Sequence, residues 1–149
     1  MRTCLVLAAV ALAACSSRHK ASTSIDDGEA RKLLLDRNWI DRMPTTERDR
    51  LHVYRFVPSM GGGVFQDRTL YKGTFELFRF STTGDEIHFD LPETHQDVVS
   101  KFRIDSVDGP EPFDLKLTIE ADPRGPQVYY GMRAETDRDG HLLEARLQR

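Results

Sequence analysis

Cysteine is almost missing from this chain: two among 149 residues, Cys4 and Cys15, both near the N-terminus. From Ser16 onward there is no thiol, which excludes a disulfide framework, a cysteine nucleophile and a thiolate metal site in the body of the chain. Stability there has to come from a packed core. Charge of one sign is also missing. The chain carries 21 Lys+Arg against 24 Asp+Glu, a net −3, with no long run of either kind. That balance argues against a dedicated nucleic-acid binder. No Gly-x-Ser-x-Gly elbow occurs, and Gly61-Gly62-Gly63 opens no helix that would cradle a phosphate. No catalytic residue and no cofactor is expected, and the chain is not read as an enzyme.

What is present begins at the N-terminus. Arg2 supplies one positive charge, and Cys4–Leu12 is an uninterrupted apolar run. A membrane-spanning helix needs roughly 20 apolar residues, so this run reads as a secretory leader. Leu12-Ala13-Ala14-Cys15 ends it: a branched residue, two small ones that let a protease reach the backbone, and a thiol able to accept an acyl group. The four residues resemble the lipobox of bacterial lipoproteins. The resemblance implies cleavage before Cys15, lipidation of Cys15 and a membrane partner reached through that lipid. Several acyl chains anchor a protein stably where one does not. Ser16, with no Asp at that position, resembles the outer-membrane default of Gram-negative lipoproteins.

Removing residues 1–14 leaves 135 residues, of which 20 are basic and 24 acidic, a balance of −4. That length suits one domain and a tether. Residues 15–27 read as the lipidated cysteine and a Ser/Thr-rich flexible tether, and residues 28–149 as the domain. Asp26 or Asp27 can cap a short helix reaching about Asp36, with Ala30, Leu33 and Leu34 as its apolar stripe.

From Asn38 the apolar period becomes two. Phe113, Leu115, Leu117, Ile119 and Ala121 alternate with polar residues, as do Ile87, Phe89 and Leu91, and Phe102 with Ile104. Gly, Pro and Asp clusters separate the runs, and Asp139-Gly140 is a hairpin signal. The spacing predicts eight or nine strands, near 38–43, 51–58, 64–71, 74–81, 86–92, 98–106, 113–121, 127–136 and 141–147. With no helices between them, they form an all-β antiparallel up-and-down meander. Closure into a barrel hides the edges of such a meander; an open curved sheet or a sandwich is the other solution. Thr74–Phe80 is apolar on both faces, so the segment 28–36 or a protein partner is expected to cover its outside.

Trp39 follows the short helical segment and opens the first strand. A leading helical turn, this tryptophan and a meander ending in a hairpin resemble the lipocalin-like group, many bacterial members of which are lipoproteins. The resemblance spans residues 30–147. It implies a barrel, a ligand-holding interior near Trp39, and a late basic residue, Arg133 or Arg146, over the indole. Arg37 stands where that group has Gly two residues before the Trp. Thr136-Asp137 is followed by Gly140 in place of Tyr.

Two arginines interrupt apolar faces: Arg55 among Leu51, Val53 and Val57, and Arg79 beside Phe75 and Leu77. Pointing inward, they would make a cationic floor for a ligand carboxylate. Pointing outward, each would reach the rim or pair with an acid. His88 and Asp90, beside Glu86, can offer two metal ligands where zinc takes three or four, and His95 and Asp97 in the following loop could add to the set; a solvated polar face is the preferred reading, and no metal is expected. Tyr129-Tyr130 puts aromatics on both faces of a late strand.

These features point to a non-enzymatic, lipid-anchored binding module of the cell envelope for a small apolar or amphiphilic ligand. The other reading is an interaction module with a filled core, docking an envelope protein through faces carrying Phe78, Phe80 and Tyr129.

Overall fold

The computed structural model describes residues 22–135 and 142–148. The expected leader, Cys15 and the Asp139-Gly140 turn lie outside the described residues. In chain order the elements are β1 (Thr23–Ser24), α1 (Asp27–Leu34), β2 (Asn38–Ile40), β3 (Leu51–Val57), β4 (Gly62–Arg68), β5 (Gly73–Thr83), β6 (Glu86–Leu91), β7 (Gln96–Ser106), β8 (Leu115–Ile119), β9 (Val128–Gly131) and α2 (Leu142–Leu147).

Strands β2 to β9 each pair antiparallel with their sequence neighbours, and β9 returns to β2 with Tyr130 opposite Ile40. The result is a closed eight-stranded up-and-down barrel. An even number of such strands brings the last one antiparallel to the first, so closure needs no crossover. Two long strands change neighbours part-way. β5 pairs with β4 through Phe78 and with β6 from Arg79. β7 pairs with β6 through Lys101 and with β8 from Phe102.

Two expectations are corrected at the termini. Residues 15–27 were expected to be tether throughout, but Thr23 and Ser24 form β1, opposite Ser106 and Asp105 of β7. Two polar residues carry no periodic signal; the free margin of β7 beyond the end of β6 recruits them. The expected ninth strand at 141–147 is the helix α2. Leu143 and Leu147 stand four residues apart, one helical turn, among strong helix formers (Leu, Glu, Ala, Arg). Both are buried against Ile40, Leu51, Val53, Phe113 and Met132 on the outside of the barrel.

The interior is occupied by side chains. Trp39, Tyr54, Phe56, Phe65, Phe78, Phe89, Leu115, Leu117, Ile119 and Tyr129 point inward and are buried. The Tyr54 ring lies 4.8–6.1 Å from the rings of Phe56, Phe65, Phe78, Phe89 and Tyr129. Eight strands enclose a space just wide enough for side chains to fill, and here aromatic residues fill it. At one end α1, capped by the Asp26 carboxylate on the N–H groups of Gly28 and Glu29, sets Ala30, Leu33 and Leu34 into the core. Arg31 fastens it by donating to the Gly84 carbonyl at 2.9 Å.

The seam between β2 and β9 is the shortest junction. It is reinforced from the residues beside it. Arg37 donates to the Met132 carbonyl at 2.8 Å, and the buried Glu135 carboxylate accepts from the Asn38 N–H at 3.0 Å. Burial raises the Glu135 carboxyl above its ordinary value, and burial lowers Arg37. Within the seam the Trp39 indole lies on Gly131, where a Cβ would stand 2.9 Å from the ring. Gly131→Ala is therefore expected to destabilise the fold by about 1–3 kcal/mol, the usual cost of overpacking, read as a lower urea midpoint with unchanged slope.

Candidate functional site

The side chains expected to line a ligand cavity do not do so together. Trp39 is inside the barrel and buried, and its indole N–H donates to the Leu34 carbonyl at 3.0 Å. Arg55 and Arg79 share the faces expected of them, but those faces are the outer ones. Tyr54 and Phe56 point inward, so the residue between them points out, and Phe78 in the core turns Arg79 outward in the same way. Arg55 lies 3.7 Å from Glu135, and Arg79 donates to Asp90 at 2.7 Å. There is thus no inward cationic floor. Arg133 pairs with Glu29 at 2.7 Å and donates to Ser106 at 3.0 Å. Among the described residues it is the Arg124 guanidinium that lies over a ring, 5.4 Å from the Phe65 centroid.

His88 pairs with Glu86 at 3.6 Å on the solvated face, while Asp90 is held by Arg79. Among the described residues no group of three or more His, Cys, Asp or Glu side chains is placed to hold a metal ion. Among the same residues no helix is long and apolar enough to cross a membrane.

The end of the barrel opposite α1 gathers polar groups that periodicity could not reveal. Asp122, in the loop from β8 to β9, accepts from the Tyr54 hydroxyl at 2.8 Å and the Tyr129 hydroxyl at 2.5 Å. Arg124 in the same loop forms an ion pair with Glu76 of β5. Close by, His52 Nδ1 lies 2.8 Å from Asp41 and stacks on Phe65. Burial raises the Asp122 carboxyl above its ordinary value, against the opposing effect of the hydrogen bonds it accepts. Burial and the neighbouring carboxylate raise both tyrosines, so their hydroxyls remain donors. Every oxygen of this carboxylate is engaged in joining β3, β9 and the loop, which makes the cluster a latch across the barrel mouth.

The chemically unspent surface lies outside, on β4 and β5. Val64 and Leu77 are cross-strand partners, as are Gln66 and Phe75. Leu77 is 55% exposed and Phe75 69% on the outer face of β5, with Met60 (72%) at one end of β4 and Tyr71 (74%) at the other. A groove of about 390 Å³ runs between Met60–Gly63 and Pro92, with Val57, Val64, Leu77 and Phe78 on its walls and Arg79 at its margin. A shallower depression of about 280 Å³ continues from Val64 to Tyr71 and Phe75. The groove exists for two reasons. Gly61 and Gly62 have no side chains to fill it, and β5 exchanges β4 for β6 at this level. Gly61 takes a left-handed φ of 76° to close the β3–β4 turn, and a Cβ on Gly62 would stand 2.1 Å from the Phe78 carbonyl oxygen.

The expected cover over Thr74–Phe80 is not α1, which plugs the barrel end instead. Phe78 and Tyr129, expected on a docking face, are core residues; Phe75 and Leu77 take the exposed positions. Comparison of the chain with protein-family models, with curated proteins and with solved structures gives no match.

The latch carries a pH dependence. A carboxyl raised in the folded state keeps its proton there when the unfolded chain has lost it, so its contribution to stability falls as pH rises above 3.8. Stability of the native protein relative to Asp122→Asn is expected to be greatest near pH 4 and to fall as pH rises towards the raised folded-state value, measured by urea midpoints. A difference that is flat or of opposite slope would show that Asp122 is not held above its ordinary value.

Proposed function

We propose that this chain is a lipid-anchored, non-enzymatic binding module of the cell envelope whose contact surface is the outer β4–β5 face. The observation that carries the reading is a contrast. The barrel interior is filled with aromatic rings, whereas Met60, Tyr71, Phe75 and Leu77 stand exposed beside an apolar groove. A cavity for a carried molecule is supplied by open interior space, and an interface is supplied by contiguous exposed apolar surface. Filling the interior moves recognition to the surface. A protein partner is the occupant this surface suits best, because the apolar stripe is long and shallow.

Membrane attachment through Cys15, with the outer membrane as destination in a Gram-negative cell, belongs to the same proposal and rests on the Leu12-Ala13-Ala14-Cys15 motif. Cys15→Ser is expected to shift the full chain from the membrane fraction to the soluble envelope fraction, followed by immunoblot after fractionation.

A second reading has one observation in its favour. The groove falls in the size range of small-molecule sites and its walls are apolar, which suits the tail of an amphiphile.

The test places a photoreactive phenylalanine analogue at Leu77 of the full chain in its own cells, with Thr83 as an exposed control. A discrete protein adduct formed from position 77 and absent from position 83 is expected. Equal labelling at both positions, or none, counts against the interface. A small bound mass in native mass spectrometry, lost in Leu77→Arg, would instead favour the amphiphile.

A further inference from the structure

We infer that the free margin of β5 is a dimerisation edge, on which Gly73–Leu77 pairs antiparallel with the same five residues of a second copy about a two-fold axis at Phe75. The inference rests on the reading of the β4–β5 face as a contact surface and names the partner of its Phe75 end.

The argument starts from the hydrogen-bond ladder. The Thr69 N–H donates to the Lys72 carbonyl at 2.7 Å, which makes Thr69 and Lys72 a hydrogen-bonded pair at the β4–β5 turn. Bonded and non-bonded pairs alternate along an antiparallel ladder. The pairs Asp67–Thr74 and Phe65–Glu76 are then bonded, while Gly73, Phe75 and Leu77 face their β4 partners without bonds. These three residues turn their N–H and C=O groups to the other side. There β6 reaches only as far as Arg79, paired with Asp90, and among the described residues no strand is paired with 73–77. Gly73, Thr74, Phe75 and Leu77 are all exposed.

A row of alternating main-chain donors and acceptors is matched by another extended strand, and not by a lipid. The stretch is self-complementary. With Phe75 facing its own copy, Leu77 faces Gly73, which has no side chain to obstruct it. Thr74 faces Glu76, a hydroxyl opposite a carboxylate. The outward residues of the stretch carry no charge and no proline, the usual protections of an exposed edge. Glu76, its one charge, points inward and is already paired with Arg124.

Single cysteines in the full chain decide the question, since the sequence has none after Cys15. In the proposed register the two copies of residue 75 form a bonded pair with Cα atoms about 5.5 Å apart, within disulfide reach. The two copies of residue 77 lie four residues out of step, on the order of 13 Å apart and beyond that reach. Under mild oxidation in envelope preparations, Phe75→Cys is expected to give a covalent dimer well above the unsubstituted chain, and Leu77→Cys is not. Both positions are exposed, so neither substitution threatens the fold. Equal cross-linking at 75 and 77, or none at 75, overturns the proposal. A photo-adduct from Leu77 to another protein with no disulfide at 75 would retire the dimer and leave the contact surface standing. Failure of both would retire both.

Discussion

Closing the ring between β2 and β9 is the constraint on which the rest of this structure depends. β2 has three residues and β9 four, and Ile40 opposite Tyr130 is the register that joins them. So short a ladder cannot hold a barrel shut by main-chain bonds alone. The side chains around it contribute the remainder: Trp39 laid on Gly131, Arg37 reaching across to the Met132 carbonyl, and Glu135 reaching back to Asn38. These partners are buried or nearly so. That strengthens each bond and makes each expensive to leave unmade.

Once the ring is shut, its contents follow. Tyr54 sits where the rings of five other residues converge, and its hydroxyl reaches Asp122, so one residue belongs both to the apolar core and to the latch over the mouth. With α1 in one end and the Asp122–Arg124 loop over the other, the interior resembles a packed core more than a container. The same packing that stabilises the barrel fills the space that a carried molecule would need.

The outer surface owes its features to one event, the exchange of partners along β5. At Phe78 and Arg79 the strand leaves β4 and takes up β6. This exchange opens the groove between the β3–β4 turn and Pro92, and among the described residues it leaves the first half of β5 without a strand on its far side. Groove, exposed apolar stripe and free edge thus have a common origin in the stagger of the strands.

Much of the architecture was legible in the residue pattern. The strands β2 to β9 follow from apolar-rich runs bounded by Gly, Pro and Asp, most clearly the two-residue alternation of β6, β7 and β8, and the helix at Asp27–Leu34 follows from its cap and its Ala30, Leu33 and Leu34 stripe. Periodicity separates the two faces of a strand but does not say which face is inside. Arg55 and Arg79 were grouped with the right neighbours and still belonged to the outer surface. The six residues Leu142–Leu147 were misread because a short apolar run fits both periods; packing of Leu143 and Leu147 on the barrel wall decides for helix. Asp122, Arg124 and Glu76 gave no local signal, since they meet only when a loop folds over a ring that distant strands have closed.

The sequence by itself determined the all-β meander, the lack of any thiol after Cys15 and the positions of the turns, because each depends on a residue and its near neighbours. Tertiary structure alone decided which faces turn inward, that rings fill the interior, and that β5 exchanges β4 for β6 part-way along its length. Each of these is set by the register between strands far apart in the chain.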